Sequence, residues 1–418
     1  MPKMIGTMTD LCENARSMYR FLSLAQKEKG ALKWHYGRKR RAENMKSQNI
    51  YLPNYSVGED CYQQIPFLTR NYGSKAVVIG GKTAMEKAKD ALIKGIEGSG
   101  VELLGFLWYG GDSTMENVEK LRREELVQKA EMLFAVGGGR ACDTVKTLGD
   151  LLDKPVFTFP TLASNCAACT NLSVIYNTDG SFRQYYYQKQ PACHTFINTR
   201  IIAESPYEML WAGIGDALSK EYEVVFACRG KKMHHLPLLG LGISRTCTSP
   251  LLTFGSRALQ DCKNKRVSFE LEQVALDIII LTGIVSNCTV HQNQPDPRDN
   301  YYYNSSLAHC VYYGSSLIPA CETHLHGEIV SFGVLCLLTY DNQTEERDRI
   351  LNFNRSIGLP VTMEQIGLTE ADLPVVAKKA SSVVEWEYAP GNPTEERFIQ
   401  AILDADRAGR KALAHGGI

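Results

Sequence analysis

The chain has no surplus of either charge: Lys plus Arg and Asp plus Glu number 46 each over 418 residues. A protein without a net field draws neither nucleic acid nor an anionic membrane by bulk attraction, so a small-molecule partner is the expectation. A membrane span is lacking too. The longest apolar run, Val274 to Val290, carries Asp277 and Asn287, falls short of the roughly 20 apolar residues a bilayer requires, and reads as a buried helix. No secretory signal pattern is present. The 13 cysteines are spread through a large α/β-looking sequence, which points to free thiols in a reducing cytoplasm. Two familiar signatures are also missing. There is no Gly-x-Gly-x-x-Gly fingerprint, and the one Cys-x-x-Cys, Cys166 to Cys169, has no second pair to complete a structural zinc site.

Length suggests two domains. Residues 1–44 stand apart as an N-terminal extension: they are basic at Arg38-Lys39-Arg40-Arg41, lack a strand–turn–helix rhythm and precede a further Met at 45. One short basic cluster on a neutral chain reads as a solvated arm. From Lys75 the pattern alternates. Strand-like Ala76 to Ile79 ends at Gly80-Gly81 and is followed by Thr83 to Ile96 at helical spacing. The unit repeats with strand-like Val101 to Trp108, helical Met115 to Ala130, strand-like Met132 to Val136, a helix from near Arg140 and strand-like Pro155 to Phe159. Such alternation predicts a parallel, doubly wound sheet. Leu172 to Tyr176 and Phe182 to Tyr187 flank an Asp-Gly turn and are expected to close an α/β nucleotide-binding domain over 45–205. Long amphipathic patterns beyond it, such as Met209 to Ala227 and Phe269 to Cys288, predict an all-helical domain over 206–418.

The most informative loop is Val136-Gly137-Gly138-Gly139-Arg140, which follows a buried strand and opens a helix. Its glycines let the backbone approach a phosphate, and the helix N-terminus adds N–H donors and a positive dipole end. Pro160 to Tyr176, just after a strand end, is placed to line the crevice where α/β sheets bind ligands. Asp216 lies in an otherwise apolar helical stretch, and His309 and His326 lie in Leu307-Ala308-His309-Cys310 and Thr323-His324-Leu325-His326-Gly327-Glu328. These are candidate ligands for a divalent cation, although any one alone is more often a satisfied polar residue.

Taken together, Gly137-Gly138-Gly139 with Asp143 and Lys146, Pro160-Thr161-x-x-Ser164, Gly215-Asp216-Ala217, Ala308-His309 and His326-Gly327 resemble the glycerol dehydrogenase group of iron-type alcohol dehydrogenases, in the same order over roughly residues 50 to 410. The resemblance implies an N-terminal nucleotide-binding domain, a C-terminal helical domain and a cleft where metal and nicotinamide meet. It implies dinucleotide contacts from Gly137, Gly138, Gly139, Thr161, Ser164, Leu172 and Tyr176, with Asp143 and Thr170 counted in the same set. Asp216, His309 and His326 are the implied metal ligands, His326 being preferred to His324 because Gly327 follows it. The cofactors it implies are a divalent metal and NAD or NADP, the latter choice left open by Tyr109-Gly110-Gly111-Asp112, and the assembly a homo-oligomer.

Departures from the pattern bear on metal and substrate. Iron-binding members add a histidine one helical turn after the Asp; here that position is Lys220, which points to zinc ahead of iron. Glycerol dehydrogenases carry an Asp where this chain has Cys166, a substitution shared with the hydroxycarboxylate dehydrogenase branch, which reduces 2-oxo acids. Removing that carboxylate removes a repulsion against an anionic substrate of about 1 to 4 kcal/mol at ~4 Å. Lys220, on the same helix face as Asp216, is positioned to pair with a substrate carboxylate, or else with Glu221, Glu223 or solvent. Cys166 and Lys220 are thus the candidate catalytic residues. Tyr312 stands where many relatives have a second histidine. The expected activity is hydride transfer between NAD(P) and a small 2-hydroxy or 2-oxo acid, with a small-polyol dehydrogenase as the first alternative and a non-catalytic ligand-binding protein as the second. The motifs of dehydroquinate synthase, a lyase of similar fold, are not found.

Overall fold

Alternation at period two puts successive side chains of each central strand on opposite faces of one sheet, and both faces are covered. The computed structural model describes residues 51–292 and 300–414, so the expected extension over 1–44 and its basic cluster lie outside the described residues. Strands β1 (Tyr55–Val57), β2 (Lys75–Gly80), β3 (Glu102–Trp108), β4 (Met132–Gly137) and β5 (Val156–Pro160) are followed by a separate antiparallel hairpin, β6 (Leu172–Tyr176) and β7 (Phe182–Tyr187), and then by β8 (His194–Ile197). The main sheet is wholly parallel, in the order β1-β8-β5-β4-β2-β3. Ala76 and Val78 join Phe134, Phe157, Phe159 and Phe196 in the layer beneath α1 (Lys82–Ile96). Val77 and Ile79 join Leu133 and Ala135 beneath α2 (Met115–Arg122) and α3 (Gly139–Leu152).

The chain passes from β2 to β3 on one side and then to β4 on the other. That reversal opens a crevice outside the carboxyl ends of β2 and β4. Gly80-Gly81 and Gly137-Gly138-Gly139 are the residues found there, with the Gly81 N–H donating to the Val136 carbonyl at 3.3 Å.

Two expectations are corrected. The helix expected over Met115 to Ala130 is broken into α2 and a short turn, Glu125–Lys129, because Glu124 takes an extended backbone conformation that starts a new helix and buries Val127. The hairpin does not finish the sheet. The strand β8 follows it and inserts between β1 and β5, where Thr195 Oγ1 accepts a hydrogen bond from Thr158 at 2.9 Å.

The rest is mainly helical, with α4 (Tyr207–Ala227), α5 (Thr248–Lys263), α6 (Phe269–Leu276), a π-helical turn (Asp277–Leu281), α7 (Thr282–Thr289), α8 (Leu307–Ser315), α9 (His326–Tyr340), α10 (Thr344–Ile357) and α11 (Glu395–Ala414), but it is not all-helical as expected, because Val290–His291 and Tyr301–Tyr302 pair as a short antiparallel ladder. Among the described residues, no helix is long and apolar enough to cross a membrane. The almost wholly buried α9 forms the centre of the helical half, packed by α4, α8, α10 and α11.

Glycines decide how closely α4 is gripped. A Cβ at Gly213 would lie 2.3 Å from the Ala163 carbonyl oxygen, in the loop after β5; one at Gly215 would lie 2.3 Å from the Gly327 carbonyl, and one at Gly327 only 1.8 Å from the Ala212 carbonyl. Backbone therefore touches backbone on both sides of α4, which draws the β5 loop and the start of α9 towards Asp216. Replacing Gly213 with Ala is expected to cost about 1–3 kcal/mol through overpacking, read as a lower denaturation midpoint; a midpoint equal to wild type would contradict this contact.

Candidate metal centre and nucleotide cleft

Helix α4 presents Asp216, Lys220 and Glu223 on one face by their spacing of four and three. Asp216 Oδ1 lies 3.1 Å from His326 Nε2, at the first residue of α9, and 3.5 Å from His309 Nε2 on α8. One ligand atom from each of the three falls within 4.8 Å of the others. A tetrahedral ion with bonds of about 2.0–2.2 Å separates its ligands by about 3.4 Å, so this oxygen and two imidazole nitrogens fit a divalent cation. Burial alone would raise the Asp216 carboxyl; the His326 and His309 imidazoles reverse that and hold it well below the usual carboxylate range.

Behind His309 stands Glu223, fully buried. Its Oε2 is 2.6 Å from His309 Nδ1, and its Oε1 accepts from the backbone N–H groups of Ser306 at 2.7 Å and His309 at 2.9 Å. One carboxylate thus satisfies orphan donors at the start of α8 and fixes the imidazole so that Nε2 faces Asp216. Burial works to lower the His309 pKa, but Glu223 and Asp216 prevail and raise it to about 10. Tyr312 packs edge-on against His326, with ring centroids 4.2 Å apart. His324 turns away, its Nδ1 2.8 Å from Glu328 Oε1.

Lys220 is 6% exposed. Its Nζ donates to Asn304 Oδ1 at 2.6 Å and to the Asn304 carbonyl at 3.2 Å, and no carboxylate among the described residues forms an ion pair with it. Glu223 is occupied by His309, while burial, ahead of Coulombic and hydrogen-bond effects, raises the Glu221 pKa. Cys166 lies within electrostatic reach of Lys220 and Asp216, and burial, the largest influence, keeps its thiol neutral. Cys169 donates to the Ile279 carbonyl at 2.8 Å, so the two thiols of the Cys-x-x-Cys are separately engaged; every cysteine among the described residues is free. Asp277 in the π-helical turn is buried with both carboxyl oxygens unpartnered, and burial followed by Glu221 pushes it well above the carboxylate range.

On the nucleotide side, Gly137 takes a φ of +148°, open to glycine, and Gly138 and Gly139 begin α3. A Cβ at Gly139 would sit 2.8 Å from Asn165 Nδ2. A bare backbone cradle at a helix N-terminus suits a pyrophosphate. Thr161 donates its N–H to the Gly137 carbonyl at 3.2 Å, and Ser164 lies half-buried three residues further on. Leu172 and Tyr176 are half-buried on β6, with the Arg140 guanidinium 5.1 Å from the Tyr176 ring centre. Burial, then the neighbouring Tyr312, raises the Tyr176 phenol, which puts this strand next to the metal side. Asp143 and Thr170 instead face inward. Lys146, itself buried, lies 3.0 Å from Asp143 Oδ1 and donates to the Thr170 and Leu172 carbonyls at 3.0 and 2.6 Å, pinning β6 to α3. Reading the sequence alone missed Asn304, Asn165 and the part Glu223 plays behind His309; Asn304 carries no local signal because its partner lies 84 positions away.

A doubly wound sheet with glycine turns at its switch point, joined to a helical half that gathers a carboxylate and two imidazoles, defines a nucleotide-type fold with a metal-type site. Residues 53–197 match the family model for iron-containing alcohol dehydrogenase. The glycerol dehydrogenase of Thermotoga maritima is 30% identical over 313 residues, covering 72% of this chain and 81% of that protein. Hydroxycarboxylate dehydrogenase A of Escherichia coli is 28% identical over 341 residues, covering 80% and 90%. The crystal structure of glycerol dehydrogenase from Schizosaccharomyces pombe superposes with a TM-score of 0.78 at 22% identity, covering 89% and 93%. The chain belongs to the iron-containing alcohol dehydrogenase family, in its glycerol dehydrogenase group, and is an oxidoreductase acting on alcohol groups.

Replacing Glu223 with Gln removes the charge behind His309 and is expected to weaken cation binding about 10- to 100-fold, measured by competition with a chromogenic chelator. Wild-type affinity in this variant would remove Glu223 from the site.

Proposed function

We propose that the protein interconverts a small 2-hydroxy acid and 2-oxo acid, using a divalent cation, zinc ahead of iron, and NAD or NADP. The observation that carries this reading is Lys220, a buried ammonium whose only partner among the described residues is the neutral Asn304, one helical turn from Asp216. An isolated buried charge is expensive unless paired. A substrate carboxylate is the partner that fits it.

Bound at this site, a divalent cation would supply Lewis-acid polarisation and a nicotinamide would supply the hydride chemistry. The chain supplies position. Asp216, His309 and His326 hold the cation, and Glu223 keeps His309 oriented. Lys220 anchors the substrate carboxylate while the neutral Cys166 thiol leaves that carboxylate unopposed. Gly137, Gly138 and Gly139 seat the pyrophosphate, and Thr161, Ser164, Leu172 and Tyr176 line the path to the nicotinamide. Asp143 and Thr170 contribute by holding β6 in place. The free cysteines support a cytoplasmic setting, and we expect a homo-oligomer.

A small-polyol dehydrogenase is the second reading, favoured by the relatives named as glycerol dehydrogenases. A substrate panel separates the two. The metal-loaded enzyme is expected to reduce 2-oxobutyrate with a higher kcat/KM than it oxidises glycerol, and a chelator should abolish both activities. Lys220→Ala should raise the KM for the acid about tenfold to a hundredfold, the scale of a charge-assisted bond of about 1.5–3 kcal/mol, with kcat changed less. A preference for glycerol, or an unchanged KM, would remove this reading.

A further inference from the structure

We propose that Asn304 is a specificity-determining residue: its neutral side chain fixes Lys220 without discharging it, and so selects substrates that carry a carboxylate. The inference rests on reading Lys220 as the carboxylate contact. An ammonium has three protons. Asn304 takes two of them, through Oδ1 at 2.6 Å and its own carbonyl at 3.2 Å, and leaves one donor and the whole charge available.

The clamp is rigid because its neighbours are tied down. Tyr303 donates its N–H to the Thr289 carbonyl at 2.8 Å. Ser305 Oγ donates to Glu385 Oε1 at 3.2 Å and lies 2.8 Å from the Tyr302 hydroxyl. Ser306 donates its N–H to Glu223 at 2.7 Å. With its neighbours held on both sides, the buried Asn304 meets Lys220 through both its side chain and its carbonyl, and so aims it. The two carboxylates on the same face of α4 have other partners: Glu223 serves His309 and Asp216 faces the imidazoles.

An Asp at this position has nearly the same shape. It would set a carboxylate against the ammonium, close the ion pair and oppose an incoming carboxylate, leaving a pocket suited to neutral diols. Position 304 therefore acts with Cys166: each is a place where a carboxylate would turn the pocket from acids to polyols.

The test compares kcat/KM for 2-oxobutyrate with kcat/KM for 1,2-propanediol in the metal-loaded wild type, Asn304→Asp and Asn304→Ser. The acid-to-diol ratio should fall at least tenfold in Asn304→Asp, mainly through the KM for the acid. It should fall less in Asn304→Ser, which loosens the clamp but keeps the charge. A ratio within threefold of wild type in Asn304→Asp overturns the proposal, as do equal falls in both variants, which would mean that only packing matters at this position. Should Asn304→Asp fail to fold, Asn304→Ser decides alone: a fall of more than tenfold points to packing and overturns the proposal, and a smaller fall with a raised KM supports it. A wild type that prefers the diol refutes the acid reading itself, and the Asn304 inference with it.

Discussion

The site depends on how closely α4 is approached by its two neighbours. Packed helices ordinarily keep their axes 8–10 Å apart, the spacing being set by the side chains between them. At Gly213, Gly215 and Gly327 no side chain intervenes, and carbonyl oxygens occupy the space a Cβ would fill. This contact lets His326, at the very start of α9, reach Asp216 in the middle of α4. Metal–ligand distances tolerate only about 0.2 Å. A methyl group wedged into either contact would move a ligand by several times that amount, so the glycines are as much a part of the centre as the ligands.

Electrostatics follow from the same helix. Asp216 and Glu223 lie seven residues apart, and each meets His309, one at Nε2 and one at Nδ1. Two carboxylates in a buried space are tolerable because each has imidazole or backbone N–H groups to face. Their two negative charges would match a divalent cation held with neutral imidazoles, and Lys220 would then be a charge of this site with no counterpart among the described residues. On the proposed reading, a single substrate carboxylate restores neutrality. With an Asp at position 166 the pocket would already be neutral and better suited to an uncharged polyol.

Much of this was legible in the sequence, and the limits have physical causes. The alternating strands and helices were readable because β2, β4 and β5 are buried on both faces and thus largely apolar. The strand β8 was not, since four residues headed by His194 and Thr195 are too few and too polar to show a period. The break after α2 was hidden because Glu124, a good helix former, takes an extended conformation under tertiary constraint. Asp216, His309 and His326 could be nominated through family motifs, yet their convergence depends on glycine contacts between distant segments that no local pattern encodes. Asn304 was invisible for the same reason: its meaning lies wholly in what it touches.

Overall similarity and local chemistry answer different questions here. Identity of 22–30% to relatives named as glycerol dehydrogenases goes with a shared family and fold, which do not by themselves fix the substrate. Discrimination between an acid and a polyol rests on the few side chains that set the charge of the remaining pocket wall. At 4 Å one charge there is worth about 1 to 4 kcal/mol, roughly five- to a thousandfold in relative kcat/KM. We propose Cys166, Lys220 and Asn304 as three such positions, drawn from the loop after β5, from α4 and from the segment before α8. All three leave the wall positive or neutral. A relative can share nearly every other residue of the fold and still differ in substrate if it differs at these.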